Sequence, residues 1–162
     1  MPVLVRGLKV LGTLLVKGEA HALAAGMAPE ALLLARLAPD MLTLTAQVQS
    51  ACDTSKLGIQ RLSGASGPVF ANEETSFAQL QARIATTIAY IESVEPASID
   101  DSAEREIRLN WTPTGPVFTG QSYLLTFTLP NFFFHVTTAY DILRNNGVEI
   151  GKRDYLGPYN KA

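Results

Sequence analysis

Residues 121 to 146 read QSYLLTFTLPNFFFHVTTAYDILRNN, and the fold turns on whether this stretch is helix or strand. At about 100° per residue Leu125, Leu129, Phe132, Val136, Ala139 and Leu143 fall on one stripe, with Thr128, Asn131, His135 and Thr138 as a polar row along its flank. Alternation of Leu125, Phe127 and Leu129 with Thr126 and Thr128 also permits a strand over 123 to 129, and Pro130 lacks the N–H that a helix interior uses. Proline is at home in a first turn, however, so the preferred reading is one long helix kinked at Pro130 that carries both core and site. Phe132, Phe133 and Phe134 point in three directions, so at least one leaves the helix's core face.

Beyond this helix Asn145-Asn146-Gly147 is a C-cap signal and the tail reads as irregular. Upstream, the period drops to two: Ile107, Leu109 and Trp111 alternate with Glu106, Arg108 and Asn110, Thr112-Pro113-Thr114-Gly115 supplies a turn, and Val117 and Phe118 return. One hairpin alone does not fold, so its apolar face must lie on helices. Ser76 and Gln79 make a capping box ahead of Phe77, Leu80, Ile84, Ile88, Ile91 and Val94, a helix that stops before Pro96. Residues 63 to 75 are a loop rich in Gly and Ser. Met41, Leu44, Val48, Cys52, Ile59 and Leu62 stripe another long helix, with Asp40 at its start favouring the dipole. Pro29 to about Leu37 is a short helix, which Arg36 and Asp40 clip to the next. Leu4, Leu8, Leu11, Leu15, Gly18 and Ala22 stripe the first helix, residues 3 to 25.

The chain has 162 residues, 47% hydrophobic and 17% charged, which suits one domain over 1–162 with one core. A formal charge of -2 with scattered Lys and Arg argues against nucleic acid. No run is long and apolar enough to span a membrane, and Arg6 and Lys9 interrupt the apolar N-terminal stretch where a signal peptide would have none. Cys52 is the only cysteine, which excludes an intrachain disulfide and suits a cytoplasmic protein. GVEIGKR at 147 to 153 has too few residues between its glycines for a phosphate-binding loop and follows a helix. The elements add up to a mainly all-α chain: a four-helix bundle with a short extra helix and one β-hairpin before the last helix.

PVLVRGL near the start, ARLAPDM at 35 to 41, ACD at 51 to 53 and LPNFFFHVTTAYDILRNNGVEIGKRDYLG at 129 to 157 carry a resemblance that spans nearly the whole chain. Together they resemble an uncharacterised bacterial family within the DinB/YfiT-like superfamily of four-helix bundles, often described as metalloenzymes. The resemblance implies an up-and-down bundle, and a start a few residues later than in related members. It also implies a divalent metal held by three His, one on the second helix and two on the last, in transferases and isomerases that use low-molecular-weight thiols. This chain departs from that pattern, because it has two His in all. Only His135 lies on a matching helix; Ala139 stands one turn on, and Cys52, Asp53 and Thr54 occupy the matching part of the second helix.

The candidate site is therefore a polar pocket of Gln49 and Asp53 facing Asn131 and His135; no metal ligand is assigned, and Asp53 and His135 are the side chains left for an ion if one binds. No cofactor is expected; zinc or nickel would have only those two side chains to hold it. A carboxylate beside the imidazole would raise His135 above its ordinary value of about 6.5. Plainer readings stand alongside: His135 as a hydrogen-bonded half-buried side chain, Asp53 as the partner of Lys56, and Cys52 as a small buried hydrophobe instead of a nucleophile. The function expected is a non-catalytic bundle, a homodimer, that binds a small molecule or a partner. The alternative is a metal-dependent enzyme of the thiol-transferase type with an altered site.

Overall fold

A computed structural model describes residues 1–109 and 114–158. The first stripe is as read: α1, Pro2–Ala24, buries Leu4, Leu8, Leu11, Leu15, Gly18 and Ala22. The short helix α2, Pro29–Leu33, stops earlier than Leu37. α3, Leu44–Ser63, starts later than the Pro-Asp signal suggested, because the Thr43 side chain accepts from the Ala46 N–H and so caps the helix. Asp40 lies outside that helix, and Arg36 clips the turn through the carbonyls of Pro39 and Met41 instead of through a carboxylate. α4, Phe77–Ser93, opens with the Ser76–Gln79 capping box. A short α5, Pro96–Asp100, leads to the hairpin.

Strands β1, Glu106–Arg108, and β2, Val117–Thr119, pair antiparallel with Ile107 opposite Phe118. Trp111 and the first half of the expected turn, Thr112 and Pro113, lie outside the described residues. Ile107 and Leu109 bury against Leu62 and Tyr123, with Phe118, Leu124 and Phe127 around them, so helices cover the hairpin's apolar face.

The deciding stretch is helical from end to end, in three parts: α6, Gly120–Ser122, a π-helical turn over Tyr123–Thr128, and α7, Leu129–Asn145. The Leu129 N–H reaches back to the carbonyl of Leu124. That wider bonding, more than a simple kink, absorbs the step at Pro130, whose missing N–H and bulky ring an uninterrupted α-helix would have to accommodate. It also shifts the phase. Phe132, Val136, Ala139 and Leu143 are buried as expected, but Leu125 is 54% exposed while Tyr123 and Thr128 turn inward. Of the three consecutive phenylalanines, Phe132 is buried, Phe133 half-buried and Phe134 55% exposed. The tail is ordered beyond the C-cap: Gly147 takes φ 86°, Val148 and Ile150 join the core, and α8, Lys152–Leu156, packs on α1.

Long helices α1, α3, α4 and α7 form the bundle, with α3 and α1 each packed on both α4 and α7. Contacts along the helices fix their directions. Gln81 donates to the Gly12 carbonyl and Lys9 meets Glu92, so α4 runs against α1. Gly7 lies under the Phe132 ring and Gly18 against Leu143, so α7 runs with α1. Gln47 meets His135 and Thr54 meets Asn131, so α3 runs against α7 and therefore with α4. The order along the chain is up, down, down, up. Residues 64 to 76 make it possible: α3 is about 30 Å long, and that segment, extended, reaches about 40 Å. The Tyr90 hydroxyl holds this crossover at the Ala65 carbonyl. Among the described residues no helix is long and apolar enough to cross a membrane.

Candidate binding cleft

α3 presents polar side chains to both of its neighbours. Towards α4 they meet Arg83, which is 2% exposed on the same face as Leu80, Ile84 and Thr87. Arg83 donates from Nη1 to Glu74 Oε1 at 2.9 Å, and from Nη2 to Asp53 Oδ2 at 2.7 Å and the Gln49 carbonyl at 3.4 Å. The Lys56 ammonium reaches the other oxygen of Asp53 at 2.9 Å, and Gln49 Nε2 donates to Glu74 Oε2 at 2.7 Å. Phe70 of the crossover covers the guanidinium, 4.2 Å from the ring centroid. Burial alone would push the Glu74 carboxyl up. Hydrogen bonds from Arg83, Gln49 and its own backbone N–H, with the Arg83 charge, outweigh that and hold it below the usual carboxylate range.

Towards α7 the partners are neutral and leave space. A cleft of about 220 Å³ lies between Ser50, Asp53, Thr54, Leu57 and Arg61 on one side and Tyr123, Phe127, Asn131 and His135 on the other. Asn131 Nδ2 donates to Thr54 Oγ1 at 2.8 Å, and His135 Nδ1 lies 2.7 Å from Gln47 Oε1. Arg61 Nη1 donates to the Tyr123 hydroxyl at 2.7 Å, and its guanidinium lies 5.7 Å from that ring. The π turn sets Tyr123 and Phe127 in a stack, centroids 5.6 Å apart and planes 14° off parallel.

Three of the four sequence-named residues, Asp53, Asn131 and His135, line this cleft. Gln49 does not; its amide is turned to Glu74 on the α4 side. Asp53 lines the cleft, yet its oxygens bond to Arg83 and Lys56, and Gln47 is the bonded partner of His135. With no carboxylate paired to it, the imidazole follows its burial, which pushes its pKa below the ordinary value instead of above. The sequence reading missed Gln47, Arg61, Tyr123, Arg83 and Glu74. Two of these carried a signal. Gln47 stands three residues after Leu44 and four before Ala51, and Arg83 sits between Leu80 and Ile84, so both are polar side chains on an apolar face.

The donor set suits a metal poorly. Among the described residues no group of three His, Cys, Asp or Glu could hold an ion, and both oxygens of Asp53 are already bonded. Cys52 is fully buried, and burial pushes its thiol up to about 11, far from a reactive thiolate. A larger groove of about 1130 Å³ runs between α1, α4, α5 and α8, but several of its charges answer protein groups: Lys9 pairs with Glu92, Asp154 with Lys17, and Arg6 with backbone carbonyls. It shares no lining residue with the α3–α7 cleft.

A family model described as a domain of unknown function, DUF1993, matches residues 1–156. A crystal structure of a DinB family member protein from Shewanella denitrificans is similar over 98% of this chain and 91% of that chain, with 40% sequence identity and a TM-score of 0.91. No protein of curated function matches the chain.

Proposed function

The chain belongs to the DUF1993 family of DinB-like bundles, and from that premise we propose a non-catalytic binding protein whose site is the cleft between α3 and α7. One observation carries the reading. The cleft gathers amide, hydroxyl, imidazole and guanidinium groups around open volume, while its one carboxylate is bonded from behind by Lys56 and Arg83. Such a set recognises a small molecule by hydrogen bonds and lacks the three free ligands that a catalytic divalent ion needs. In this reading the protein works without a resident metal, in the cytoplasm, as a homodimer. The exposed Phe134 and Leu125 support self-association.

Elemental analysis of the purified protein tests the metal part: less than stoichiometric zinc or nickel is expected, and one tightly held ion per chain would restore the thiol-transferase alternative. Light scattering tests the dimer, since a mass near 17.5 kDa would mean a monomer.

A further inference from the structure

The hydrogen bonds around His135 fix which of its nitrogens is free. Gln47 is 1% exposed, so its amide must be satisfied inside the protein. One end lies 3.5 Å from the Leu42 carbonyl, which only accepts, so that end is the NH2 and the oxygen faces His135. It follows that Nδ1 of His135 carries the proton and donates at 2.7 Å, and that Nε2 keeps its lone pair. Nε2 has no hydrogen-bond partner among the described residues, and the side chain lines the cleft. Burial, which disfavours the imidazolium, keeps that lone pair available at neutral pH.

Arg61 supplies the complementary feature on the same cleft. Its bonds go to the Tyr123 hydroxyl and ring, and none of the ion pairs among the described residues includes it. The charges on the α4 side of α3, Asp53 and Glu74 against Lys56 and Arg83, pair with one another and cancel, which leaves Arg61 as the cleft's charge without an ion-pair partner among the described residues. Leu57 and Phe127 add apolar wall.

We propose that the α3–α7 cleft takes a small organic acid with a neutral hydroxyl donor on its chain, the carboxylate on Arg61 and the hydroxyl on Nε2 of His135. This rests on the reading of the cleft as the binding site, and names the class of ligand. The acid group is matched by the planar fork of the guanidinium, the donor by a fixed acceptor, and the carbon chain by the Phe127 ring.

NMR of isotope-labelled protein tests it with ω-hydroxyhexanoate as probe and hexanoate and hexanol as controls. In the free protein His135 Nε2 should resonate as the unprotonated nitrogen. Adding ω-hydroxyhexanoate should shift that signal together with the amides of Arg61 and Asn131, saturably, with each control about tenfold weaker. Arg61→Gln should leave the tautomer unchanged and abolish the preference for the hydroxy acid over hexanol. A proton found on Nε2 in the free protein, or hexanoate binding as tightly as the hydroxy acid, would overturn the ligand class while the cleft stands as a site. Cleft amides unmoved by all three compounds would remove the cleft reading itself, and this proposal with it.

Discussion

On the side of α3 that meets α4, two carboxylates, a lysine and a buried arginine close on one another. On the side that meets α7, amides, hydroxyls, one imidazole and the Arg61 guanidinium pair off singly around open space. The two faces differ in how their charges are paired more than in polarity. Buried charges must be neutralised at contact distance, so Arg83, Asp53 and Glu74 leave each other no freedom and hold the crossover in place. The dipoles of the other face, and Arg61 with its tyrosine, are each met by one neutral partner, so the same helix keeps a cleft on that side. The comparison teaches that polar residues next to a core mark a site only where their bonding is incomplete.

Removing the arginine should break that contrast most visibly. Arg83→Met leaves Asp53 and Glu74 without their main partner and is expected to lower stability by about 3 kcal/mol, read from the midpoint of urea denaturation. Asn131→Ala in the cleft should lower it by about 1 kcal/mol. Equal losses would mean that the two faces are not distinct.

Acid should act on the α4 side next. The Glu74 carboxyl is held below its unfolded value, so its contribution is fully present above that value and is lost as pH falls through the folded one. Glu74→Gln should flatten the acid limb of a stability-against-pH curve; an unchanged limb would free the crossover from this carboxylate.

The smallest effect belongs to His135. Its folded pKa is depressed, so the unfolded chain binds the extra proton, and stability declines as pH falls from about 6.5 to the folded value, then levels off. His135→Asn should remove that shallow step. An imidazole titration above the ordinary value, abolished by Asp53→Asn, would instead bring the carboxylate back to the α7 side.

Much of the fold was legible because its signals are local. The 3.6-residue stripes of α1 and α4, the Ser76–Gln79 box and the period-two run around Ile107 depend on neighbours in sequence, and the structure carries them out. Helix direction was not local: it depends on a crossover of residues 64 to 76 whose anchors, Phe70 and Glu74, lie in a segment that looks like plain loop. The start of α3 was misplaced because Pro39-Asp40 and Thr43 offer competing signals, and only tertiary structure chooses between them. At the site, periodicity put Asn131 and His135 on one helix row, and the structure pairs them with Thr54 and Gln47, where Gln49 and Asp53 had been expected. What periodicity does not tell is which of two neighbouring helices a polar side chain will face: Asp53 keeps the Lys56 partner that its spacing offered, but it and Gln49 bond towards α4 and not to His135.

The π turn over Tyr123–Thr128 has a consequence for chain length. Its bonds enclose one residue more than α bonds do, so in an alignment of related chains it behaves as a single-residue insertion. A relative lacking that residue would close the same helix with ordinary bonds and keep α7 seated on Gly7 and Gly18. Everything before the gap would then turn by about 100° around the helix axis. Tyr123 would swing away from Arg61 and from the hairpin cluster it fills. A gap of one at this point therefore sorts relatives that share the cleft from relatives that share only the bundle.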